Sequence, residues 1–450
     1  NLIDTIWTDR PPAPKVKAWE HPLKYNGESS ISKINKITIK IISLGGDLAI
    51  FTLPDSICWL LNIRGADVTR TPIVHCFAAL SSKGEVTVFG DQKKLKILNT
   101  NPKVELLGWD DFEGFLTNSI GKVVVDRKSL PIAALRALEK GSSKTLFKNA
   151  DLCSLPKACK NQTEIEGARK AHTRDGAAMV SFLAWFETTD HSKLDEIKVV
   201  KSLESFRAKT NLLQDISFDT ISGSGPNAAI VHYRVTHETN RKLDTNSVLL
   251  IDSGAQYFDG TTDVTRTLPL GRPNLKMRQT FTRVLQGMIA VSKIRFPKGI
   301  TGRELDPLAR VPLWMAGQDY DHGTGHGVGS FLSVHEGPQR ISRMTDVELR
   351  EGMIISNEPG YYDAGNFGIR IENLLVVQPA PILPNSDPRD MLEFETLTYV
   401  PINKKLIEIN LLTTQEILWL NSYHNMVLVK LTPLIDLPTK EWLVKATSPI

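Results

Sequence analysis

Glu358 and Glu372 lie equidistant from Gly365, and this symmetry constrains the fold more than any other feature of the sequence. The flanks read Asn357-Glu358-Pro359-Gly360 and Ile369-Arg370-Ile371-Glu372-Asn373. A hairpin turning on Gly365 sets the two glutamates directly opposite each other. Cβ atoms of such cross-strand neighbours lie about 5 Å apart, where like charges repel unless a cation lies between them. Pro359 cannot donate to a ladder, so the first strand is expected to end at Glu358.

A second pair of acids lies upstream, in Ile251-Asp252-Ser253-Gly254 and Thr262-Asp263-Val264-Thr265. Residues 248–251 read as a buried strand with Asp252 at its end. Asp259-Gly260 signals a turn. A tight turn there puts Asp263 opposite Gln256. For Asp252 and Asp263 to face each other, the loop must centre near Tyr257-Phe258. Two separate surface aspartates are the plain alternative.

Between the two acid pairs runs His322-Gly323-Thr324-Gly325-His326-Gly327-Val328-Gly329, followed by Val334-His335-Glu336-Gly337. Three of the chain's 10 histidines fall in this short stretch. The alternating glycines allow close backbone approach. A phosphate-binding loop would need a Gly-Lys-Ser/Thr ending, which is absent. A glycine-rich turn with incidental histidines is the simpler alternative. Taken together, four carboxylates and one imidazole form a hard donor set. Such a set suits Mn²⁺ or a similar ion better than structural zinc. Two ions ~3.5–4 Å apart can share a hydroxide and polarise a carbonyl, which is equipment for hydrolysis.

The order Asp252, Asp263, His326, Glu358, Glu372 resembles the five metal ligands of the pita-bread metallopeptidases. These include methionine aminopeptidase, prolidase and aminopeptidase P. Longer strings resemble the cytosolic, multidomain aminopeptidase P branch: Gly254-Ala255-Gln256-Tyr257, residues 259–267, 322–338 and 358–373. The likeness runs along essentially the whole chain, residues 1–10 included. It implies an α/β N-terminal domain followed by an α+β pita-bread catalytic domain of the creatinase and methionine aminopeptidase type. It also implies two divalent ions, Mn²⁺ foremost, with Zn²⁺ or Co²⁺ as alternatives. Asp252 then chelates one ion, Asp263 and Glu372 bridge both, and His326 and Glu358 complete the other. Glu358 is also expected to take a proton from the bridging water. His232, His322 and His335 are expected to position substrate and stabilise the tetrahedral intermediate. Arg370 is expected to orient a carboxylate.

The activity implied is hydrolysis of the N-terminal Xaa-Pro bond by a hydroxide held between the two metals. The implied substrates are peptides with proline second, and a cytoplasmic homodimer is expected. The branch usually carries a further α/β domain before Asn1, so an upstream domain is expected to be missing. A prolidase acting on Xaa-Pro dipeptides is the nearest alternative. A non-catalytic peptide-binding module is another, although such relatives usually lose ligands. A metal-independent amidinohydrolase lacks this ligand set.

At 450 residues the chain exceeds what one core usually serves, so two domains are expected, 1–155 and 156–450. Pro-Pro-Ala-Pro at 11–14 makes residues 1–28 an extended lead-in. Isoleucines at 31, 34, 37, 41 and 42 predict a helix from Ser29. Strands follow at 48–53, 72–80, 85–89 and 123–125, with a hairpin turn at Ser81-Ser82-Lys83-Gly84. A helix over 132–138 stops at Gly141. Residues 151–163, with Pro156, read as a linker. A long helix then starts after Asn161, with Glu164 three residues on.

A net charge of +4 demands neither nucleic acid nor an anionic membrane. No window approaches ~18 consecutive apolar residues. Cys58, Cys76, Cys153 and Cys159 form no Cys-x-x-Cys pair and read as buried thiols in a reducing cytosol, a Cys153–Cys159 bridge being unneeded. Glu336 is expected to face solvent, Arg266 to balance nearby acids, Asp321 to cap a turn and His237 to be solvated. The terminal helix around Trp419, Leu420, Tyr423 and His424 suits either an interface or its own domain.

Overall fold

Short apolar strands alternate with helices through the first part of the chain and build one mixed sheet. In this computed structural model, which describes residues 2–450, two compact units separate, Asn1–Lys157 and Ala158–Ile450. The first unit centres on a six-stranded sheet. Its strand Leu48–Phe51 pairs antiparallel with Cys76–Ser81 and parallel with Lys122–Asp126. The hairpin from Cys76–Ser81 into Val86–Gly90 turns at the expected Ser-Ser-Lys-Gly. The isoleucine-rich helix is Ser30–Ser43, and the Ser29 hydroxyl caps it by accepting from the Ser32 N–H. Ile34, Ile37 and Ile41 are buried while Ile31, Ile39 and Ile42 are exposed, so burial of one face overrides β-branched reluctance.

Two local expectations differ from the structure. Residues 1–28 are not simply extended. They contain the helix Leu2–Ile6, the strand Trp19–Glu20 paired to Ile63–Arg64, and the turn of helix Leu23–Asn26; Asn1 lies outside the described residues. Gly141 ends the helix Ile132–Lys140 as read, in extended backbone. A Cβ there would meet the Thr117 carbonyl oxygen at 2.2 Å, so close approach is what requires glycine. The two units divide within the stretch read as a linker, but it holds a short helix, Ser154–Ala158, with Cys153 and Ala158 inaccessible. Pro156 misled because proline is tolerated in a helix's first turn. The four cysteines are free thiols.

The second unit opens with the helix Gln162–Thr188. Asn161 and Glu164 form a reciprocal capping box at its start. A three-stranded antiparallel sheet carries Val248–Ser253 at its centre. A separate six-stranded sheet contains Gly325–Gly327, Glu336–Ile341, Ile354–Asn357 and Asn373–Pro379. The helix Leu275–Ser292 packs Met277, Phe281, Leu285 and Met288 into a core with Ile369, Ile371, Leu420, Tyr423 and Val427. The helix Thr414–Leu431, which a last helix Leu437–Ala446 follows, buries Leu420, Tyr423 and His424 within its own unit. Truncating Leu420 to alanine would cost about 2–5 kcal/mol. Among the described residues, no helix is long and apolar enough to cross a membrane.

Candidate metal centre

The aspartate hairpin closes on Phe258-Asp259. Its ladder sets Asp252 opposite Thr265 and Ser253 opposite Val264, then continues as Gln256–Thr261 and Tyr257–Gly260. The turn is one residue before Asp259-Gly260 and one after Tyr257-Phe258. Asp263 therefore faces neither Gln256 nor Asp252. It falls in register with Gly254, diagonal to Asp252. Gly260 misled because it is not a turn glycine: its φ is not positive. Its missing side chain instead admits the long helix, whose Ala171 Cβ and Ala168 Cα would lie 3.1 and 3.2 Å from a Cβ there. Arg174 holds the turn's Asp259 carboxylate through two bonds, 3.0 and 2.9 Å.

The glutamate hairpin has the register that its glycine dictates. Gly360 pairs with Arg370 and Asp363 with Phe367 around Gly365, whose φ is +78°. Beyond it, Asn357 pairs with Asn373 in the same register. Glu358 and Glu372 occupy the break between these two ladders. Their backbones are tied elsewhere: the Glu358 N–H donates to the Thr324 carbonyl (2.8 Å) and the Glu372 N–H to the Thr265 carbonyl (3.1 Å). One glutamate is thus fastened to the histidine segment and the other to the aspartate hairpin.

His326 lies on the strand Gly325–Gly327, between Ile354–Asn357 and Glu336–Ile341 in the sheet. Its Nδ1–H donates to the Gly327 carbonyl at 3.0 Å. That turns Nε2 toward Asp263 Oδ2 at 3.6 Å and Glu358 Oε1 at 3.3 Å. An imidazole nitrogen facing two carboxylates in this way suits a shared cation. Ligand atoms of Asp263, His326 and Glu372 lie within 4.8 Å of one another. Asp252 Oδ1, Asp263 Oδ1 and Glu372 Oε1 are buried with no hydrogen-bond partner. Buried polar atoms are normally satisfied, so three such oxygens together point to a ligand that takes lone pairs. One cavity of about 330 Å³ collects all five residues together with His232, His322, His335 and Arg370.

Electrostatics gives the same picture. Burial raises the Asp263 and Glu372 carboxyls well above the usual range, and the neighbouring acids raise them further. Burial also pushes Glu358 up, but His326, His322 and Arg370 outweigh it and hold its pKa below the ordinary value. Two divalent ions would neutralise the four carboxylates, and the donor set fits them.

Neighbouring side chains fix the carboxylates. Arg370 Nη2 donates to Asp252 Oδ2 at 2.6 Å, Nη1 to the Tyr362 hydroxyl at 2.7 Å and Nε to Thr265 Oγ1 at 3.2 Å. Thr265 Oγ1 donates to Glu372 Oε2 (2.8 Å), and Ser356 Oγ to Glu358 Oε1 (2.9 Å). The Tyr362 hydroxyl reaches His322 Nε2 at 2.9 Å, while His322 Nδ1–H donates to the Gly323 carbonyl at 2.8 Å. Burial lowers the His322 pKa. The His335 ring stands edge-on to His326, centroids 4.3 Å apart, and its pKa is pushed down to about 4 by burial and then by His326. His232 is exposed at the cavity rim.

Sequence reasoning missed Tyr362, Thr265 and Ser356. Tyr362 had a signal: strand alternation puts it on the same hairpin face as Glu358, with Gly360 between them. A Cβ on Gly360 would lie 2.7 Å from the Tyr362 hydroxyl, so the glycine leaves room for the phenol. One side expectation fails. Glu336 does not face solvent; it is buried in an ion pair with Lys160, a partner invisible at that sequence distance. Arg266 does feel the charge of nearby Glu372, as expected, but its hydrogen bonds go elsewhere. It is buried and donates to the carbonyls of Thr265, Glu372, Val400 and Pro401, to Asn373 Oδ1 and to the Tyr423 hydroxyl. Asp321 and His237 are exposed.

Known proteins share this architecture. The sequence matches metallopeptidase family M24 over residues 166–379, the creatinase/prolidase N-terminal domain over 9–164 and the C-terminal region of peptidase M24 over 390–450. It is 37% identical to aminopeptidase P1 of Lotus japonicus, covering 100% of this chain and 79% of that protein. It is 39% identical to a probable Xaa-Pro aminopeptidase P of Laccaria bicolor, covering 100% and 72%. The chain belongs to the aminopeptidase P family. Another aminopeptidase P fold supports the placement: the crystal structure of X-prolyl aminopeptidase from Caenorhabditis elegans, described as a cytosolic enzyme with a di-nuclear active site. It superposes with a TM-score of 0.92 at 34% identity, over 100% of this chain and 75% of that one. The prolidase from Pyrococcus furiosus superposes less closely, at a TM-score of 0.62 and 25% identity over 80% and 98%. With its full set of donors, this aminopeptidase P family member is equipped to hold two divalent metal ions.

Proposed function

We propose that this chain is a metal-dependent aminopeptidase that removes the first residue of peptides whose second residue is proline. The observation that carries the reading is the set of three unsatisfied carboxylate oxygens beside His326 Nε2, inside a chain related along its whole length to aminopeptidase P. Asp252 would hold one ion, Asp263 and Glu372 both, and His326 and Glu358 the other. When bound, the ions supply Lewis-acid polarisation of the scissile carbonyl and lower the pKa of water. Mn²⁺ best matches four carboxylates and one imidazole.

The protein's own groups do the rest. Glu358, kept ionised by its neighbours, accepts the proton of the attacking water and passes it to the departing proline nitrogen. His335, neutral at physiological pH, is placed to donate a hydrogen bond to the developing oxyanion. His232 and His322 hold the peptide, and Arg370 keeps Asp252 aimed. An Xaa-Pro amide has no N–H, so recognition cannot grip that donor. Residues 1–155 serve as the creatinase-like domain and 156–450 as the catalytic one. A cytosolic homodimer completes the reading, supported by the C. elegans relative's description for the location and by family resemblance for the dimer.

The likeness to prolidase favours one second reading, cleavage restricted to dipeptides. Metal-stripped protein given Mn²⁺ and either an Xaa-Pro dipeptide or an Xaa-Pro-Pro peptide separates the two. Release of the first residue from the longer peptide, only with metal, is expected. Cleavage of the dipeptide alone means prolidase, and folded protein inert with every metal means a binding module.

A further inference from the structure

We infer that Arg310 is a positioning residue that sets the His322 ring in the active-site cavity, an assignment that rests on the proposed aminopeptidase function. Arg310 lies on the helix Gly302–Trp314, in a stretch the sequence did not mark, and is 2% exposed. A guanidinium has five N–H donors in a rigid fork. Here every one is used. Nε donates to Asp306 Oδ2 (2.7 Å), and Nη2 to Asp306 Oδ1 (3.1 Å) and the His322 carbonyl (2.7 Å). Nη1 donates to Asp319 Oδ1 (2.8 Å) and the Tyr320 carbonyl (2.6 Å). The guanidinium carbon also lies 3.9 Å from the Tyr320 ring centre.

The same carboxylate extends the clamp. Asp306 Oδ1 accepts from the Thr324 hydroxyl at 2.7 Å, and that hydroxyl pairs with the Tyr320 hydroxyl at 2.5 Å. The Thr324 carbonyl receives the Glu358 N–H. One Arg–Asp pair therefore pins Asp319, Tyr320, His322 and Thr324. This short segment enters the cavity with no regular secondary structure of its own to hold it. His322 sits within the pinned segment, and its ring lies against Tyr362 on the ligand-bearing hairpin. Lysine offers three donors from one atom and cannot span two carbonyls and a carboxylate in this geometry.

The inference separates from a merely structural role by how the loss propagates. A buttress would lower stability while leaving the surviving folded enzyme normal. A positioning residue acting through His322 lowers kcat by roughly 10–100-fold, the usual range for groups that orient reacting ones, with KM little changed. Arg310→Lys, His322→Ala and the double variant form the test, with Asp306→Asn as a milder second break of the same clamp. The expected result is a kcat loss in Arg310→Lys that vanishes in the His322→Ala background. A second readout does not depend on activity. In metal-free protein, ¹⁵N shifts of the His322 ring, assigned by its absence in His322→Ala, should report a neutral Nδ1–H tautomer in the native chain. Arg310→Lys and Asp306→Asn should both lose that single state. Additive losses in the double variant, unchanged kcat in folded Arg310→Lys, or an unaltered ring signal would each overturn the assignment. If the native protein cleaves no peptide, the ring signal alone decides whether Arg310 fixes His322, so failure of the clamp and failure of the functional reading stay distinct.

Discussion

Two hairpins carry the four carboxylates, and their turns are built on different grounds. In the glutamate hairpin, Gly365 occupies a left-handed φ of +78° with nothing within 4 Å of where a Cβ would stand. The glycine is there for its backbone conformation, so the turn centres on it and the register follows. In the aspartate hairpin, the glycines are there for closeness. Gly260 admits the long helix, and a Cβ on Gly254 would meet the Thr262 carbonyl oxygen at 2.0 Å and Ser217 Oγ at 2.2 Å. Neither marks the turn, which falls on Phe258-Asp259 and is anchored by Arg174. A glycine in a hairpin thus fixes register only where conformation, rather than packing, requires it.

The largest expected effect treats the two hairpins alike. Asp263→Asn and Glu372→Gln each remove a carboxylate proposed to bridge the metals, and each should cut kcat/KM by on the order of 10³-fold or more. A loss confined to one hairpin would break the proposed sharing of both ions.

Removing metal should then expose a pH dependence common to both. Asp263 and Glu372 have folded pKa values raised above their unfolded ones. Their contribution to the metal-free fold is fully present below the ordinary carboxylate range, while both are protonated. It is lost as pH rises through the raised values. In chelator, Asp263→Asn and Glu372→Gln should therefore melt progressively higher than the native chain as pH goes from 5 to 8. Saturating Mn²⁺ should reverse the order, since ligand at about 1,000 times its Kd adds about 4 kcal/mol. Parallel melting curves across that pH range would count against a buried, mutually repelling pair.

Alanine at the hairpin glycines sharpens the contrast. Gly254→Ala should cost about 3 kcal/mol, because backbone must move. Gly365→Ala should cost roughly 1–2 kcal/mol from strain alone, and Gly365→Asn less, since asparagine tolerates that region. Denaturant melts giving the reverse ranking would remove the distinction between conformation and packing.

The smallest effect lies in the link between the hairpins. Arg370 reaches from the glutamate hairpin to Asp252 and Thr265 on the other. Arg370→Lys loses the fork and should lower kcat/KM by about 10–100-fold. Tyr362→Phe should lower it less, leaving Arg370 on Asp252.

Local physics decides which parts of this molecule can be read from its sequence. The capping box of Asn161 and Glu164 and the Gly365 turn depend on residues a few positions apart, and both stand in the structure as read. The helix Ser30–Ser43 announced itself by period although its isoleucines resist helix. The buried ion pair of Glu336 with Lys160 and the carbonyl cage around Arg266 are different. Each joins segments far apart in sequence, and no local pattern marks their burial. The same holds for the aspartate register, where the decisive neighbour of Gly260 is a helix that begins nearly a hundred residues earlier. The ligand types were legible because four acids and a histidine leave few chemical uses; how Thr265, Ser356 and Tyr362 hold them was not.

Equilibrium dialysis of metal-stripped protein against Mn²⁺, with first-residue release from an Xaa-Pro-Pro peptide followed at each occupancy, tests the central claim most directly. The account predicts two ions per chain and release that rises with metal occupancy from none in the stripped protein. Full peptide cleavage by protein shown to hold no metal, or folded protein that binds no divalent ion, would contradict it.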